Sequence, residues 1–503
     1  MRDNNKFRCT LLFYLMAAGF LFSDFSFSFA RSQDQDTANP QQEILLSLEE
    51  VTRLALENNL DIQIAKFDAY LSRTSLRKVR SMFDTFLTAA ASFSRDRSEQ
   101  ASVFAGTDSR NTRYSLGLEK KLPSGTTLSM DASTSKMRTN STFSSLNPYN
   151  DARLGFSVKQ ALGKNFFGLS DRSDLKLTTI DIENSEFTSL DDIEEAIFSV
   201  QKAFWLLALR EQEVRVSKDM LEEASKLYEV YKEKKPLGLV EAGEFLAVEA
   251  LVVTREISLK LAELALETAN NDLLFLLNVP EADTKLILKD NLKTEPKKAD
   301  FYEELNQALG NRRDYKIIKN ELTKNDIELV VKKNALFPEI DLEATFSRNN
   351  LDDNPETAWG HLAGENTDQL YVGLNLKFPL EQNAERADLE FTNLKKQQLA
   401  AKFQQIERKI IKELNNDVNK VNTYAKQIRL YEKTASLQRS KLEEEKKRLA
   451  YGRSNADTLV RYEEDLFQAE LALATSLYNY RLSLLELDLG KNILLEKYWQ
   501  DPL

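Results

Sequence analysis

Across 503 residues the chain holds only 15 Gly and 10 Pro, one Cys and one His. Glycine and proline together make about 5% of the chain, against about 12% in ordinary domains. Compact domains need many turns, so a chain this poor in turn formers spends long stretches in uninterrupted structure. The scarcity of Cys and His excludes a His-rich metal site and a thiolate zinc cluster. Gly-x-Ser-x-Gly, P-loop and dinucleotide fingerprints are also absent from the sequence, which argues against an enzyme. No cofactor is expected.

The N-terminus reads as a secretory signal peptide over 1–30. Lys6 and Arg8 precede an apolar run from Leu11 to Phe22, and Ser28-Phe29-Ala30 supplies small residues for cleavage. The run is about 12 residues, too short for a spanning helix, which needs about 20. Cys9 precedes the run and would leave with the signal. The mature chain then has 65 basic against 77 acidic side chains, a net charge of −12, which argues against nucleic acid as a partner. With no second long apolar stretch, an exported chain of this kind enters a membrane only as a β-barrel.

Two runs contain neither Gly nor Pro: Asp171 to Lys235, 65 residues, and Leu380 to Tyr451, 72 residues. As helices each would be on the order of 100 Å long. Ile193, Val200, Leu207, Val214, Leu221 and Tyr228 recur every seven residues in the first, with Leu190, Ile197 and Phe204 on the alternate seam. Leu414, Val421, Ile428, Ala435, Leu442 and Leu449 do so in the second. Such spacing predicts coiled-coil packing. Breaks at Lys235-Pro236-Leu237-Gly238 and Tyr451-Gly452-Arg453-Ser454-Asn455 precede return helices, giving two long helical hairpins.

The hairpins belong to a duplication. Residues 55–95 align without a gap on 308–348, with Ala55-Leu56 on Ala308-Leu309, Asn58 on Asn311, Asp61 on Asp314, and Phe93-Ser94-Arg95 on Phe346-Ser347-Arg348. Between short and long helices lie segments of period two: Ile340, Leu342, Ala344 and Phe346, then Leu370, Val372, Leu374, Leu376 and Phe378. This fits strands with one apolar and one wet face. The first half carries an additional hairpin around Pro123-Ser124-Gly125, its tight turn lying between two longer polar loops.

The expected organisation is an α+β membrane protein. After a polar segment, 31–43, the first repeat spans 44–279, with helices over 47–80, strands within 83–160 including the extra hairpin 112–136, a long helix over 171–235 and a return helix over 243–277. A linker, 280–300, leads to the second repeat, 301–490, with helices over 301–335, strands within 338–379, a long helix over 383–450 and a return helix over 456–489. A tail, 491–503, follows.

Leu46-Ser47-Leu48-Glu49-Glu50-Val51 leading into Ala55-Leu56-Glu57-Asn58-Asn59, Leu276-Leu277-Asn278-Val279-Pro280 after the first return helix, and Leu376-Lys377-Phe378-Pro379-Leu380 before the second long helix together resemble the TolC family of bacterial outer-membrane efflux proteins. The resemblance covers essentially the whole mature chain. It implies a homotrimer with one β-barrel in the outer membrane, continued by an α-helical barrel across the periplasm. It further implies an exit duct for efflux or secretion, docked to a periplasmic adaptor (a membrane fusion protein) and an inner-membrane RND or ABC transporter. Three copies give twelve strands if the extra hairpin stands outside the wall and eighteen if it joins; its clean alternation favours eighteen.

Carried over by resemblance, the adaptor-docking tips fall at Gly238, Leu239, Val240 and Gly452, Arg453, Ser454. Candidates for the periplasmic gate are Glu244, Asp457, Thr458, Arg461 and Glu464. The family's paired aspartates after the second tip are replaced by Thr458 and Arg461, while Asp457 and Glu464 lie nearby on the same helix. The lone His361 sits in a polar loop with Asp352, Asp353 and Glu365 and is given no role. The competing reading is a trimeric coiled-coil adhesin or envelope spacer without transport activity, which the period-two segments contradict.

Overall fold

A computed structural model of the chain describes residues 42–99, 101, 104, 106–238, 240–280, 284–364, 367–451 and 453–499. The signal segment 1–30, most of the polar segment 31–43 and the last four residues lie outside the described residues. In chain order the first half comprises β1 (Gln42–Leu46), α1 (Leu48–Asn58), α2 (Leu60–Arg80), β2 (Thr85–Asp96), β3 (Ser109–Lys121), β4 (Thr126–Thr139), β5 (Tyr149–Ala161), α3 (Leu169–Lys234) and α4 (Ala242–Leu276). The second comprises β6 (Thr284–Leu288), α5 (Phe301–Asn311), α6 (Arg313–Asn334), β7 (Glu339–Asp352), α7 (Pro355–Gly360), β8 (Asp368–Lys377), α8 (Asn383–Ala450), α9 (Ala456–Gly490) and α10 (Leu494–Tyr498).

The helical stretches expected over 47–80 and 301–335 each divide into two helices, α1 and α2 in the first half and α5 and α6 in the second. Asn59 and Arg312 leave helical backbone at equivalent places in the repeat, with ψ of 130° and 123°. Side chains hold each break. Asn59 accepts from the Ile62 N–H at 3.0 Å, capping α2, and donates to the Leu276 carbonyl at 2.7 Å. Arg312 donates to Asp314, Glu413 and the Gly490 carbonyl. Ser47 and Glu50 form a capping box at the start of α1.

Helices α3 and α8, of 66 and 68 residues, run about 100 Å each at 1.5 Å per residue. The α8 seam is buried as spaced through Leu414, Val421, Ile428, Ala435 and Leu442, and its last member, Leu449, is half-buried against the tip cluster. The α3 seam drifts. Ile193, Val200 and Leu207 are buried, but farther on the buried residues are Val216, Met220, Ala224, Leu227 and Tyr231, not Val214, Leu221 and Tyr228. A helix of 3.6 residues per turn rotates about 20° per heptad against a strict seven-residue repeat. Along its length α3 also passes from one apolar cluster, shared with α1, the end of α4, α8 and α9, to another shared with the start of α4, the end of α8 and the start of α9.

Six strands form one antiparallel sheet in the order β2-β3-β4-β5-β7-β8. The extra hairpin, β3 and β4, is longer than expected and stands inside this sheet, between β2 and β5, along its full length. Its turn rests on the start of α3. Gly125 and Gly168 both have positive φ, and a Cβ on Gly168 would come 2.1 Å from the Pro123 carbonyl oxygen. Only glycine fits that approach. Lys121 reinforces it by pairing with Asp171 at 2.7 Å. In the second half Gln382 takes the equivalent left-handed position before α8, φ 52°, and donates to the Leu336 carbonyl at 2.8 Å.

Four further elements were not legible in the pattern. The linker contains β6, which pairs with β1. The tail contains α10, whose Leu494 and Leu495 are buried. The loop bearing His361 folds into α7 and a following turn. No helix among the described residues is long and apolar enough to cross a membrane.

Candidate functional site

Register turns the period-two segments into two continuous surfaces. Leu87, Leu118, Met130, Phe156, Phe346 and Leu370 oppose one another in sequence across all six strands. Directly opposed residues share a face, so these six make one apolar row, and every member is exposed. The next position along each strand gives the other face: Thr88, Gly117, Asp131, Gly155, Ser347 and Gln369. Lys159 pairs with Asp341 on that polar face at 2.8 Å. Both outermost strands, β2 and β8, are unpaired along their free edges among the described residues.

At the far end of the helices lie the hairpin tips. Gly238 takes φ 68°, and among the described residues nothing beyond its chain neighbours lies within 4 Å of where its Cβ would be. Val240 packs against the tip cluster. Leu239 and Gly452 lie outside the described residues. The Arg453 N–H donates to the Arg448 carbonyl at 2.9 Å, and the Ser454 hydroxyl donates to buried Glu445 at 2.5 Å.

The five gate candidates do not form one cluster. Glu244 accepts from the Ala456 N–H at 3.4 Å, joining the first return helix to the start of the second. Asp457 is exposed in the first turn of α9, where a carboxylate suits the helix dipole. Burial, with Glu244 and Asp457 close by, pushes the Tyr231 hydroxyl up to about 12. Thr458 donates its N–H to the capping Asn455, and Arg461 lies over the Tyr462 ring at 5.5 Å. Glu464 pairs with Arg255 at 2.9 Å.

Arg255 was not among the candidates, yet it is 1% exposed and is stacked on Phe467 at 4.4 Å. It bridges α4 to α9, one return helix to the other. Beside it Glu463 is 2% exposed, and its Oε1 has no hydrogen-bond partner among the described residues. Burial pushes this carboxyl up to about 7; Lys446 and Arg255 pull the other way and Glu223 adds to the rise. Lys446 is itself paired with Glu223 of α3 at 2.5 Å. The signal for both buried groups was present in sequence, since Arg255 continues the apolar series Phe245, Val248, Leu251 and Glu463 continues Ala456, Leu459. Turn residues drew attention instead.

A second buried charge group lies far from the tips. Arg313 pairs with Asp191 at 2.9 Å and with fully buried Glu194 at 2.5 Å. Asn492 donates to both acids. These bonds fasten α3 and α6 to the turn between α9 and α10.

Residues 305–489 match the family model described as outer membrane efflux protein. No curated protein matches the chain in sequence. Among solved structures, the fold is similar to that of CusC, with 15% identity, a TM-score of 0.65, and coverage of 88% of this chain and 91% of that one. It is similar to the open state of the MtrE outer membrane channel of Neisseria gonorrhoeae, at 18% identity, TM-score 0.62 and 88% of each chain. The outer membrane protein VceC of Vibrio cholerae matches at 14% identity, TM-score 0.64, and 88% of this chain and 96% of that one. The second repeat of the chain thus carries the sequence signature of the outer membrane efflux protein family, on a fold that over most of its length is that of the TolC-family channels.

Proposed function

We propose that the chain is one protomer of a homotrimeric outer-membrane channel, which gives efflux or secretion substrates an exit duct across periplasm and outer membrane. The observation that carries this reading is the six-stranded sheet. One face is an exposed apolar surface, the other is polar, and both edges are open. Open edges and exposed apolar rows are costly in isolation. With six strands, β2 and β8 run antiparallel to each other, so β8 of one copy continues the ladder onto β2 of the next. Three copies close an eighteen-stranded barrel, apolar outside and polar within, and closure removes every edge.

The helices support the same assembly. Leu246, Val253, Ile257, Leu261 and Leu264 form an exposed stripe along α4, and Leu60, Ile64, Phe67 and Leu71 form another along α2. Both follow helical spacing, and a neighbouring copy in an α-helical barrel covers them. The tips at Gly238, Leu239, Val240 and Gly452, Arg453, Ser454 then point into the periplasm, where they dock a periplasmic adaptor bound to an inner-membrane pump. Glu244, Asp457, Thr458, Arg461 and Glu464 stand at the periplasmic mouth as candidate gate residues.

The test is membrane fractionation followed by conductance of the purified trimer in planar bilayers. Stepwise conductance from an outer-membrane fraction is expected. A trimer that never conducts, even with Arg255→Ala to unfasten α4 from α9, refutes the duct in favour of an envelope spacer.

A further inference from the structure

We propose that the outer face of the sheet carries a binding site for the phosphate groups of outer-leaflet lipid, formed by Arg95, Arg110, Arg138 and Lys136. The site rests on the barrel reading above, which makes the apolar face the lipid-facing one.

Arg95, Arg110 and Arg138 oppose one another directly on β2, β3 and β4. Each lies eight residues beyond a member of the apolar row, Leu87, Leu118 and Met130, so an even count keeps all three on the apolar face. Lys136 stands on the same face two residues before Arg138. Three like charges on directly opposed positions destabilise a sheet unless an anion joins them. The protein supplies one carboxylate: Asp108 pairs with Arg95, with Arg97 at 3.3 Å and with Arg110 at 3.8 Å. Among the described residues Lys136 and Arg138 pair with no carboxylate, and both are exposed.

Position selects the ligand. The band of this face that carries the apolar rows runs from Ile340 and Leu376 to Ala91 and Tyr114, ten residues along the strands, interrupted by Lys120 on β3 and by Arg348 opposite Asp368 on β7 and β8. At about 3.4 Å per residue and a tilt near 40° that is about 25 Å of membrane thickness, the height of a hydrocarbon-facing band. Lys136 and the arginine row follow about 5 and 10 Å farther out, in the headgroup layer. The interleaved row on the polar face holds Ser94, Asn111, Met137 and Tyr149, with no cation. Positive charge in these rows is therefore confined to the lipid-facing side. Guanidinium forks match phosphate oxygens in pairs, and a phosphorylated lipid anchored in the apolar band presents phosphate at this height.

The experiment titrates the full-length trimer, in neutral detergent, with bis-phosphorylated lipid A and with its dephosphorylated form, and reads bound lipid by native mass spectrometry. The wild type is expected to prefer the phosphorylated lipid. Arg95→Gln/Arg110→Gln/Arg138→Gln/Lys136→Gln is expected to weaken it by about fivefold per side chain, on the order of a hundredfold or more together. Lys136→Gln/Arg138→Gln changes only the two unpaired cations, breaks no bond in the protein, and is expected to weaken binding at least tenfold. Equal binding by this double variant, equal binding of the dephosphorylated lipid, or displacement by millimolar inorganic phosphate overturns the proposal. Conductance in neutral bilayers is expected to be unchanged in the variants. A trimer that binds the phosphorylated lipid but never conducts fails the channel reading and leaves the site standing.

Discussion

Glu463 makes the stability of the tip region fall as pH rises. The carboxyl is 2% exposed and its pKa is raised from 4.5 to about 7, chiefly by burial. The groups facing it are Arg255 on α4, Lys446 on α8 and Glu223 on α3, with Glu464 next to it on α9. Because the folded pKa lies above the unfolded one, the folded state holds the proton more tightly. Below about pH 4.5 the group is neutral in both states and costs nothing. Between 4.5 and 7 the unfolded chain ionises first and stability drains away. Above about 7 the whole penalty is present, about 3 kcal/mol at 1.36 kcal/mol per pKa unit. Glu463→Gln removes the titration. The variant is expected to match the wild type near pH 4 and to exceed it by up to about 3 kcal/mol at pH 8. Hydrogen exchange over residues 456–470, corrected for the intrinsic pH dependence, measures the opening free energy of this segment in both proteins. Profiles that run parallel from pH 5 to pH 8 refute the reasoning.

Replacing Arg313 by Met strands the Glu194 carboxylate, which is 0% exposed; a loss of about 3–5 kcal/mol is expected in thermal or denaturant unfolding, with much of it recovered in the Arg313→Met/Glu194→Gln double variant. Leu414→Ala, at a fully buried position of the α8 seam, should cost about 2–5 kcal/mol by the same measurement. Ile257→Asp in the exposed α4 stripe should leave the protomer folded by circular dichroism but shift light scattering from trimer to monomer; an unchanged trimer would remove that stripe from the subunit contact. Ser47→Ala breaks the capping box at α1 and should lower stability by about 1 kcal/mol.

Much of the architecture is legible in one dimension because its periodicities are long. Runs of 65 and 72 residues without Gly or Pro leave few alternatives to a long helix, and the α8 seam follows its heptads into the core as far as Leu442. The α3 seam fails after Leu207 because spacing by seven ignores helical drift. Local pattern also missed β1 and β6, which are short and stabilised only by each other, and α10, whose two leucines are buried against helices distant in sequence. The breaks at Asn59 and Arg312 are held by Leu276, Glu413 and Gly490, more than a hundred residues away, as well as by local contacts of Asn59 with Ile62 and of Arg312 with Asp314. At the tips, Gly238 is legible as a turn residue, whereas Arg255 and Glu463 are charges set within apolar stripes and carry no turn signal.

The sequence by itself determined the duplication, the two helical hairpins and the alternation of the strands, since each is written in spacing along the chain. Tertiary structure decided which strands are neighbours, and with that the place of the extra hairpin within the sheet. It also decided which face each charge occupies. Arg95, Arg110 and Arg138 are separated by up to 43 positions in sequence, and only the register of three strands sets them side by side. Arg255 and Glu464 belong to different repeats and meet only because the two return helices pack together. Pairing energies depend on distances in space, and a linear pattern fixes those distances only within a single element.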